Sequence, residues 1–144
     1  MKKAFKWAGI GFLALIVIGI IAGNDENTTS AAGTQEKPAE VFKITSTELF
    51  NAYEANEVAT DENLKGKLIE VSGTVDSIDK DAFDNIVIHL RTPNQFMSTS
   101  LQVDESEKGK AIALNKGTKV SIRCDKMMRV MGSPAGRDCV FASN

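Results

Sequence analysis

A small, mainly β barrel is the structure that this sequence predicts for its C-terminal part, and three observations support it. Apolar and polar residues alternate in five separate segments after residue 65, which is the pattern of strands with one face in a core. One short helical segment separates the first three strands from the last two. The chain of 144 residues also has the length of one domain with one core.

The N-terminus is a separate hydrophobic segment. Lys2, Lys3 and Lys6 come first, and an uncharged stretch rich in Ile and Leu follows over residues 7–23. A basic start before an apolar run is typical of a secretory signal or a signal anchor, and the lysines are expected to stay in the cytoplasm. As a helix, the apolar stretch would span roughly 25 Å, close to the bilayer core of about 30 Å. We therefore expect a hydrophobic N-terminal helix in the membrane.

Whether this helix is kept or removed stays open. Small residues that end at Ala22 and at Ser30-Ala31-Ala32 offer two cleavage positions, whereas the length and the flanks favour an uncleaved anchor. No cysteine lies near the segment, which excludes a lipidated N-terminal thiol. We expect a single-pass protein of the cytoplasmic membrane with its C-terminal domain outside the cytoplasm, or a secreted protein if the segment is cleaved.

A polar tether is expected to follow. Residues 24–41 are small and polar, include Pro38, and offer almost nothing to a core. Such a composition does not offset the entropy of ordering the chain. We therefore divide the chain into a signal anchor or signal peptide over 1–23, a flexible tether over 24–41 and a folded domain over 42–144.

The folded domain is predicted to begin with an amphipathic helix. Thr45 and Glu48 have the spacing of a capping box, and apolar residues recur at helical spacing to about Val58. A period of two then takes over in the first strand, where Gly73 is expected to mark a bulge or a sharp bend.

Four further strands and one helix complete the prediction. The first strand covers about 69–76, the next three cover about 86–91, 99–103 and 120–125, and a last strand carries Cys139 and Phe141. Asp104 and Gly117 are expected to begin and end a short helix between strands 3 and 4.

Three strands, a helix and two strands form the element order of the OB-fold, in which the loops after strands one and four often flank a ligand. The prediction is therefore a mainly β structure. It is a five-stranded OB-fold Greek-key barrel with an N-terminal amphipathic helix and a helix between strands 3 and 4, preceded by the hydrophobic N-terminal helix.

Several segments also resemble a known family. They are LFNAYEANEVATD over 49–61, KGK over 65–67, VSGTV over 71–75 and Asp138-Cys139. These segments are similar to the tRNA_anti-like family of bacterial OB-fold lipoproteins and exported proteins, and the likeness covers nearly all of the chain after the tether. The resemblance implies a small exported or membrane-attached barrel. The family name refers to a fold relationship with anticodon-binding domains and does not establish tRNA binding, and this chain lacks the N-terminal cysteine of the lipoprotein members.

The two cysteines are the first candidate site. Cys124 and Cys139 fall on strands that should be neighbours, and an oxidising compartment would favour a disulfide between them. The alternative is a pair of buried free thiols. Together with the single His89 they do not complete a tetrahedral zinc shell, so we expect no metal and no cofactor.

No catalytic residue is expected. His89 is predicted on the outward face of a strand, without a recognisable serine and acid near it, and reads as a solvated or satisfied histidine. Asp79, Asp81 and Asp84 lack the glycine and the terminal glutamate of an EF-hand. The protein is therefore predicted not to be an enzyme.

A possible binding loop is predicted after strand four. It contains Lys126, Met127, Met128, Arg129 and Met131. Methionines adapt to irregular partners, so an exposed group beside a cation suits a protein or lipid surface. The other interpretation is that two of the methionines close the end of the barrel.

Charge bears on the class of partner. From residue 44 onward the chain has 12 Lys and Arg and 15 Asp and Glu, a net charge of −3, whereas nucleic-acid binders usually display a basic field. Nucleic acid is therefore disfavoured. The main hypothesis is a non-enzymatic, extracytoplasmic binding or interaction module that is attached to the membrane and binds an unidentified protein or envelope ligand. Oligonucleotide binding is the alternative.

Overall fold

The computed structural model describes residues 39–143. The predictions for the hydrophobic segment and for most of the tether fall on residues 1–38, outside the described residues. In chain order the elements are β1 (Val41–Thr45), α1 (Ser46–Ala55), α2 (Glu57–Leu64), β2 (Leu68–Lys80), β3 (Ile86–Leu90), β4 (Thr99–Val103), a 3₁₀ turn (Glu105–Glu107), α3 (Lys108–Ala113), β5 (Lys119–Val130) and β6 (Ser133–Phe141).

Five strands close the barrel in the order β2-β3-β4-β6-β5, and β5 returns to pair with β2. The pair of β4 and β6 is parallel, whereas the other pairs of the barrel are antiparallel. The helix α3 falls between β4 and β5 in the chain. This connectivity is that of the OB-fold, so the predicted five-stranded barrel is confirmed.

A sixth strand, β1, lies outside the predicted set. It pairs in parallel with the start of β2, with Val41 opposite Leu68 and Thr45 opposite Ser72. The same edge of β2 is used by β3 only from Val75 onward, so β1 fills the part that β3 leaves free. The strand begins at the last residue of the predicted tether.

The N-terminal helical region is two helices rather than the single helix predicted to about Val58. The Thr45 hydroxyl accepts from the Glu48 amide at 3.1 Å, and the Glu48 carboxylate accepts from the Thr45 amide at 2.9 Å, so the predicted capping box is confirmed. Asn56 ends α1, and its side chain accepts from the Ala59 amide at 3.0 Å. A residue that caps a new helix in this way divides the helical pattern in two.

The core fills the barrel and continues under α1. Its most buried apolar side chains are Leu49, Tyr53, Ile69, Val71, Val75, Ile88, Leu90, Leu101 and Ile122. The Tyr53 hydroxyl donates to Asp61 at 2.9 Å, and burial together with this carboxylate raises the pKa of Tyr53 above its ordinary value. The tyrosine therefore stays protonated while it ties α1 to α2.

The short helix differs from its prediction at both ends. Asp104 accepts from the Ser106 amide at 2.9 Å and caps a 3₁₀ turn, which precedes α3. The helix then ends at Ala113, and Gly117 belongs to the following turn rather than to a helix cap.

The last two strands form a longer hairpin than predicted. β5 continues to Val130, and the turn consists of Met131 and Gly132 at φ values of 50° and 88°, as a two-residue type I′ turn requires. The predicted loop after strand four is therefore wrong in its placement, because residues 126–130 pair with β6. Gly and Pro in this stretch favour a loop by composition, yet Pro134 fits at the beginning of a strand.

Gly73 marks a close approach of β2 to α1, and the irregularity of the strand falls between Val75 and Ser77. A Cβ at Gly73 would lie 3.0 Å from Ser46 Cβ and 3.2 Å from Leu90 Cδ1. The expected bend therefore comes two residues later, and the glycine is needed for space.

We expect Gly73→Val to lower the free energy of unfolding by about 2 kcal/mol, because the added side chain overlaps Ser46 and Leu90. Urea denaturation of the variant and the parent chain measures this loss. Thr74→Val is the matched control, since it keeps a β-branched side chain on the neighbouring position. Equal denaturation midpoints for Gly73→Val and the parent would contradict the close approach.

Candidate ligand-binding face

The outward face of β3 and β4 is the candidate binding face. OB-folds bind ligands on the surface of the second and third barrel strands, between the loops that follow strands one and four. Here those strands are β3 and β4, and the connections are residues 81–85 and 131–132. Alternation along the strands leaves four half-buried side chains on the outside: Val87, His89, Ser100 and Gln102.

His89 is the centre of a polar network on this face. Its Nδ1 lies 3.0 Å from Ser98 Oγ and 3.0 Å from Ser100 Oγ, and its Nε2 lies 3.7 Å from Asp79 Oδ2. Asp79 also accepts from Ser77 Oγ at 2.6 Å. The expectation that no serine and acid lie near His89 is therefore wrong, because the pairing of three strands assembles them.

The network orients the imidazole ring and offers hydrogen-bonding groups to a ligand. The distance of 3.7 Å from His89 Nε2 to Asp79 Oδ2 is too long for a hydrogen bond, so the hydroxyls on Nδ1 are the hydrogen-bonding contacts that orient the ring. The hydroxyls of Ser98 and Ser100 both lie within hydrogen-bonding distance of the other ring nitrogen, Nδ1. A nucleophilic serine would instead need a base that a third group holds by a hydrogen bond.

A groove of about 320 Å³ lies beside this network, between β3, β4 and the β5–β6 hairpin. Val87 and Ala135 give it an apolar floor, and Gln102 and Arg137 give it polar edges. Among residues 39–143, Arg137 forms no ion pair. An apolar floor with a few fixed polar groups is the usual composition of a ligand site.

The residues of the predicted binding loop do not form one site. Met131 stands at the hairpin tip and lines the groove of the β3–β4 face, whereas Met127 packs against the core, as the barrel-closing interpretation expects. The guanidinium of Arg129 donates to the Tyr53 carbonyl at 3.0 Å and pairs with Glu54. This arginine therefore holds α1 against the hairpin.

Lys126 and Met128, the other two residues of the predicted loop, line a groove between β5 and α2 together with Met127. They lie on strand β5, apart from the hairpin tip. Ligand binding by the predicted set stays a prediction.

A larger groove of about 740 Å³ opens between the start of α1, β2 and β5. Its cationic side chains, Arg91 and Lys119, are exposed, and Arg91 Nε lies 3.6 Å from Asp76 Oδ1. The buried hydroxyl at its base, that of Ser46, already donates to the Arg91 carbonyl at 2.7 Å and contacts Thr99 at 3.1 Å. We favour the β3–β4 face, because its half-buried Ser100 and Gln102 line one groove and Ser100 also belongs to the network of His89.

Cys124 and Cys139 form a disulfide across the β5–β6 pair, and both are fully buried. The bond expected from the sequence is present. It lies in the middle of β5 and near the end of β6, because both strands are longer than predicted.

An ion-pair cluster on the opposite wall ties three strands together. Glu70 of β2 accepts from Arg123 of β5 at 2.9 Å and lies 3.2 Å from Lys43 of β1. These hydrogen bonds, that of Arg123 first, hold the pKa of Glu70 below its ordinary value of 4.5. The ionised carboxylate therefore stabilises the folded state, and this contribution is lost as the pH falls through the lowered pKa.

We expect Glu70→Gln to lower the free energy of unfolding by about 1 kcal/mol at neutral pH. The difference from the parent should disappear well below pH 4.5, where the parent carboxylate is protonated. Urea denaturation at both pH values measures it. Glu62→Gln is the control, because the Glu62 pair with Lys65 is exposed and 3.6 Å long. An equal loss in both variants at neutral pH would contradict the role given to Glu70.

The fold and the β3–β4 face define a small OB-fold protein. The sequence profile of the tRNA_anti-like family matches residues 1–140. The chain belongs to this family, and the resemblance seen in the sequence is confirmed. No curated protein matches the chain in sequence.

A similar solved structure is the crystal structure of a candidate nucleic acid-binding lipoprotein from Klebsiella pneumoniae. The TM-score is 0.56 at 14% sequence identity, and the match covers 70% of this chain and 92% of that chain. At this identity the likeness shows the fold alone. Within residues 39–143, no helix has the length and the apolar character needed to cross a membrane.

Proposed function

We propose that the protein is a non-enzymatic binding module, attached to the cytoplasmic membrane, that holds its ligand on the β3–β4 face outside the cytoplasm. The observation that carries this proposal is the face itself. Ser100 and Gln102 place half-buried hydrogen-bonding groups beside an apolar floor, and His89 contacts Ser100 on the same face. Groups that the sheet holds in fixed positions can select a ligand without large rearrangement.

The attachment is supported by the sequence and by the disulfide. A basic start and the apolar stretch over 7–23 have the pattern of a signal anchor. Disulfides such as Cys124–Cys139 persist in oxidising compartments and are rare in the cytosol. Both observations favour a domain outside the cytoplasm.

A phosphatase reporter that is active only after export, fused after Asn144, tests this placement. We expect activity from it. A silent phosphatase, together with activity from a reporter that works only in the cytoplasm, would overturn the placement.

The ligand that suits the face best is a protein segment or another polar envelope component. The face has one unpaired cation within the described chain, Arg137, and a carboxylate, Asp79. Strands β3 and β4 carry no Phe, Tyr or Trp, and His89 is the one ring on their outward face on which a base could stack. Hydrogen bonding and shape, rather than charge, would therefore decide what binds.

Oligonucleotide binding is the second candidate function. The name of the similar lipoprotein supports it, and so does the local charge of β5 and β6, where Lys126 and Arg137 are in no ion pair within residues 39–143. Titration with single-stranded oligonucleotides at low and moderate salt tests it. Tight binding that weakens steeply with salt would favour this candidate over the first.

Photo-crosslinking tests the face directly. A photoreactive amino acid at position 102 of the full chain, in bacterial cells, should give a covalent adduct. The control is the same group at position 58, on α2, where Val58 is 75% exposed. An adduct whose added mass consists of peptides by mass spectrometry supports a protein ligand, and one that nuclease removes supports the second candidate. Equal adduct yields at both positions would contradict binding on this face.

A further inference from the structure

An apolar tip, made by residues 92–98 and 130–132, stands at one end of the barrel. Phe96 is 86% exposed and Met131 is 95% exposed. Neither segment contains a charged residue. Large apolar side chains that are displayed together without charges usually mark a surface that meets a protein or a membrane.

The two segments of the apolar tip are in contact. A Cβ at Gly132 would lie 3.2 Å from Met97 Cε and 3.5 Å from Met97 Sδ. The methionine therefore rests on the hairpin turn, and it joins the loop that displays Phe96 to the turn that displays Met131.

The backbone of the apolar tip is fixed by its own hydrogen bonds. The Asn94 side chain accepts from the Phe96 amide at 2.9 Å, and the Thr92 hydroxyl donates to the Met97 carbonyl. The Arg129 Nε donates to the Gly132 carbonyl at 3.2 Å. These hydrogen bonds hold both segments in a defined conformation. Phe96 is therefore exposed by the ordered conformation of its loop.

The chain enters the barrel at the end toward which the apolar tip projects. Val41 starts β1 opposite Leu68, the first residue of β2. β5 runs antiparallel to β2, with Cys124 opposite Ile69, so residues 126–130 continue past the start of β2. The described chain therefore enters β1 at the end of the barrel where the β5–β6 turn lies.

Phe83 provides a contrast at the other end of β3. It is 85% exposed, but its turn also contains Asp81 and Asp84, and Lys80 pairs with Asp84 at 2.6 Å. Charged groups around an exposed phenylalanine oppose its transfer into an apolar phase. The two ends of the face thus carry equally exposed aromatic rings. Phe83 lies in a turn with charged residues, whereas Phe96 lies in a segment without them.

We propose that the apolar tip rests in the interfacial region of the bilayer that holds the N-terminus, an inference that depends on the membrane attachment proposed above. The predicted 18-residue tether has an expected span of roughly 24 Å, which keeps the barrel close to the lipid surface. At such an effective concentration, two apolar side chains are enough to set an orientation. The β3–β4 face then stands beside the membrane rather than against it.

Tryptophan fluorescence of the full chain tests the contact. Trp7 is the single tryptophan, so Phe96→Trp is made together with Trp7→Phe, and the protein is reconstituted in vesicles of phosphatidylethanolamine and phosphatidylglycerol. With brominated lipids, the Phe96→Trp variant should lose most of its emission. The matched control is Phe83→Trp in the same background, which should keep its emission. Equal quenching of the two, or none in either, would overturn the proposal.

Two further measurements separate the possible occupants. Adding Met131→Asp should restore the emission of the Phe96→Trp variant, and aspartate is tolerated at the φ of 50° found there. A blue shift that depends on protein concentration in detergent, and not on lipid, would assign the tip to a second copy and overturn the membrane contact. A chain that fails to co-sediment with vesicles would overturn both the attachment and the tip, whereas a chain that co-sediments but is not quenched overturns the tip alone.

Discussion

Replacing Gly136 with alanine is expected to lower the free energy of unfolding by about 3 kcal/mol. A Cβ at this position would lie 2.7 Å from Cys124 Sγ, 2.8 Å from Leu101 Cδ2 and 2.9 Å from Met127 Sδ. The sulfur is fixed in a disulfide and the leucine is fully buried. Relief of the overlap therefore requires β6 to move away from both of its neighbours, β4 and β5.

Gly109→Ala is the matched control for this substitution. Nothing lies within 4 Å of a Cβ at Gly109, and the residue belongs to the helix α3. Alanine should raise the free energy of unfolding there by up to about 1 kcal/mol, because glycine is the poorer helix former. Urea denaturation of the two variants should give shifts of opposite sign. A Gly136→Ala protein as stable as the parent would contradict the packing of β6 described above.

Removing the disulfide is the second large effect. Cys124 and Cys139 are 15 residues apart, and the loop-entropy model assigns about 3 kcal/mol to a loop of that size. Cys124→Ala combined with Cys139→Ala should lower the free energy of unfolding by that order, as measured by urea denaturation without reductant. Alanine is chosen because both sites are fully buried and a hydroxyl there would need a partner.

Thiol counting gives the matching chemical test. Protein purified from the exported fraction and denatured should show no free thiol until reductant is added. Two alkylatable thiols in the unreduced protein would contradict both the bond and the oxidising location inferred from it.

Local signals in the sequence were sufficient where they agreed with the tertiary structure. The alternation of Leu101 and Val103 predicts β4 with its observed bounds, and Thr45 with Glu48 predicts the start of α1. The two cysteines could be paired because their strands were correctly placed as neighbours. These features depend on spacing along the chain, which the sequence displays directly.

The features that could not be predicted from the sequence depend on contacts between segments that are distant along the chain. β1 has only Phe42 and Ile44 half-buried, so its periodicity is weak and its pairing with β2 decides its conformation. Residues 126–130 are followed by Gly132, Pro134 and Gly136, which favour a loop, yet β6 pairs with all five residues. The polar network of His89 combines three strands, and no spacing rule in the sequence brings these side chains together.

The closure of the barrel by β2 and β5 also constrains the order of folding. Ile69 of β2 pairs with Cys124 of β5, which lies far along the chain. Such non-local pairing forms slowly. The β5–β6 hairpin is local, so it can form and oxidise as a unit before it docks. A chain that ends before β5 would be left as an open sheet with two unpaired edges, a form prone to association with other strands.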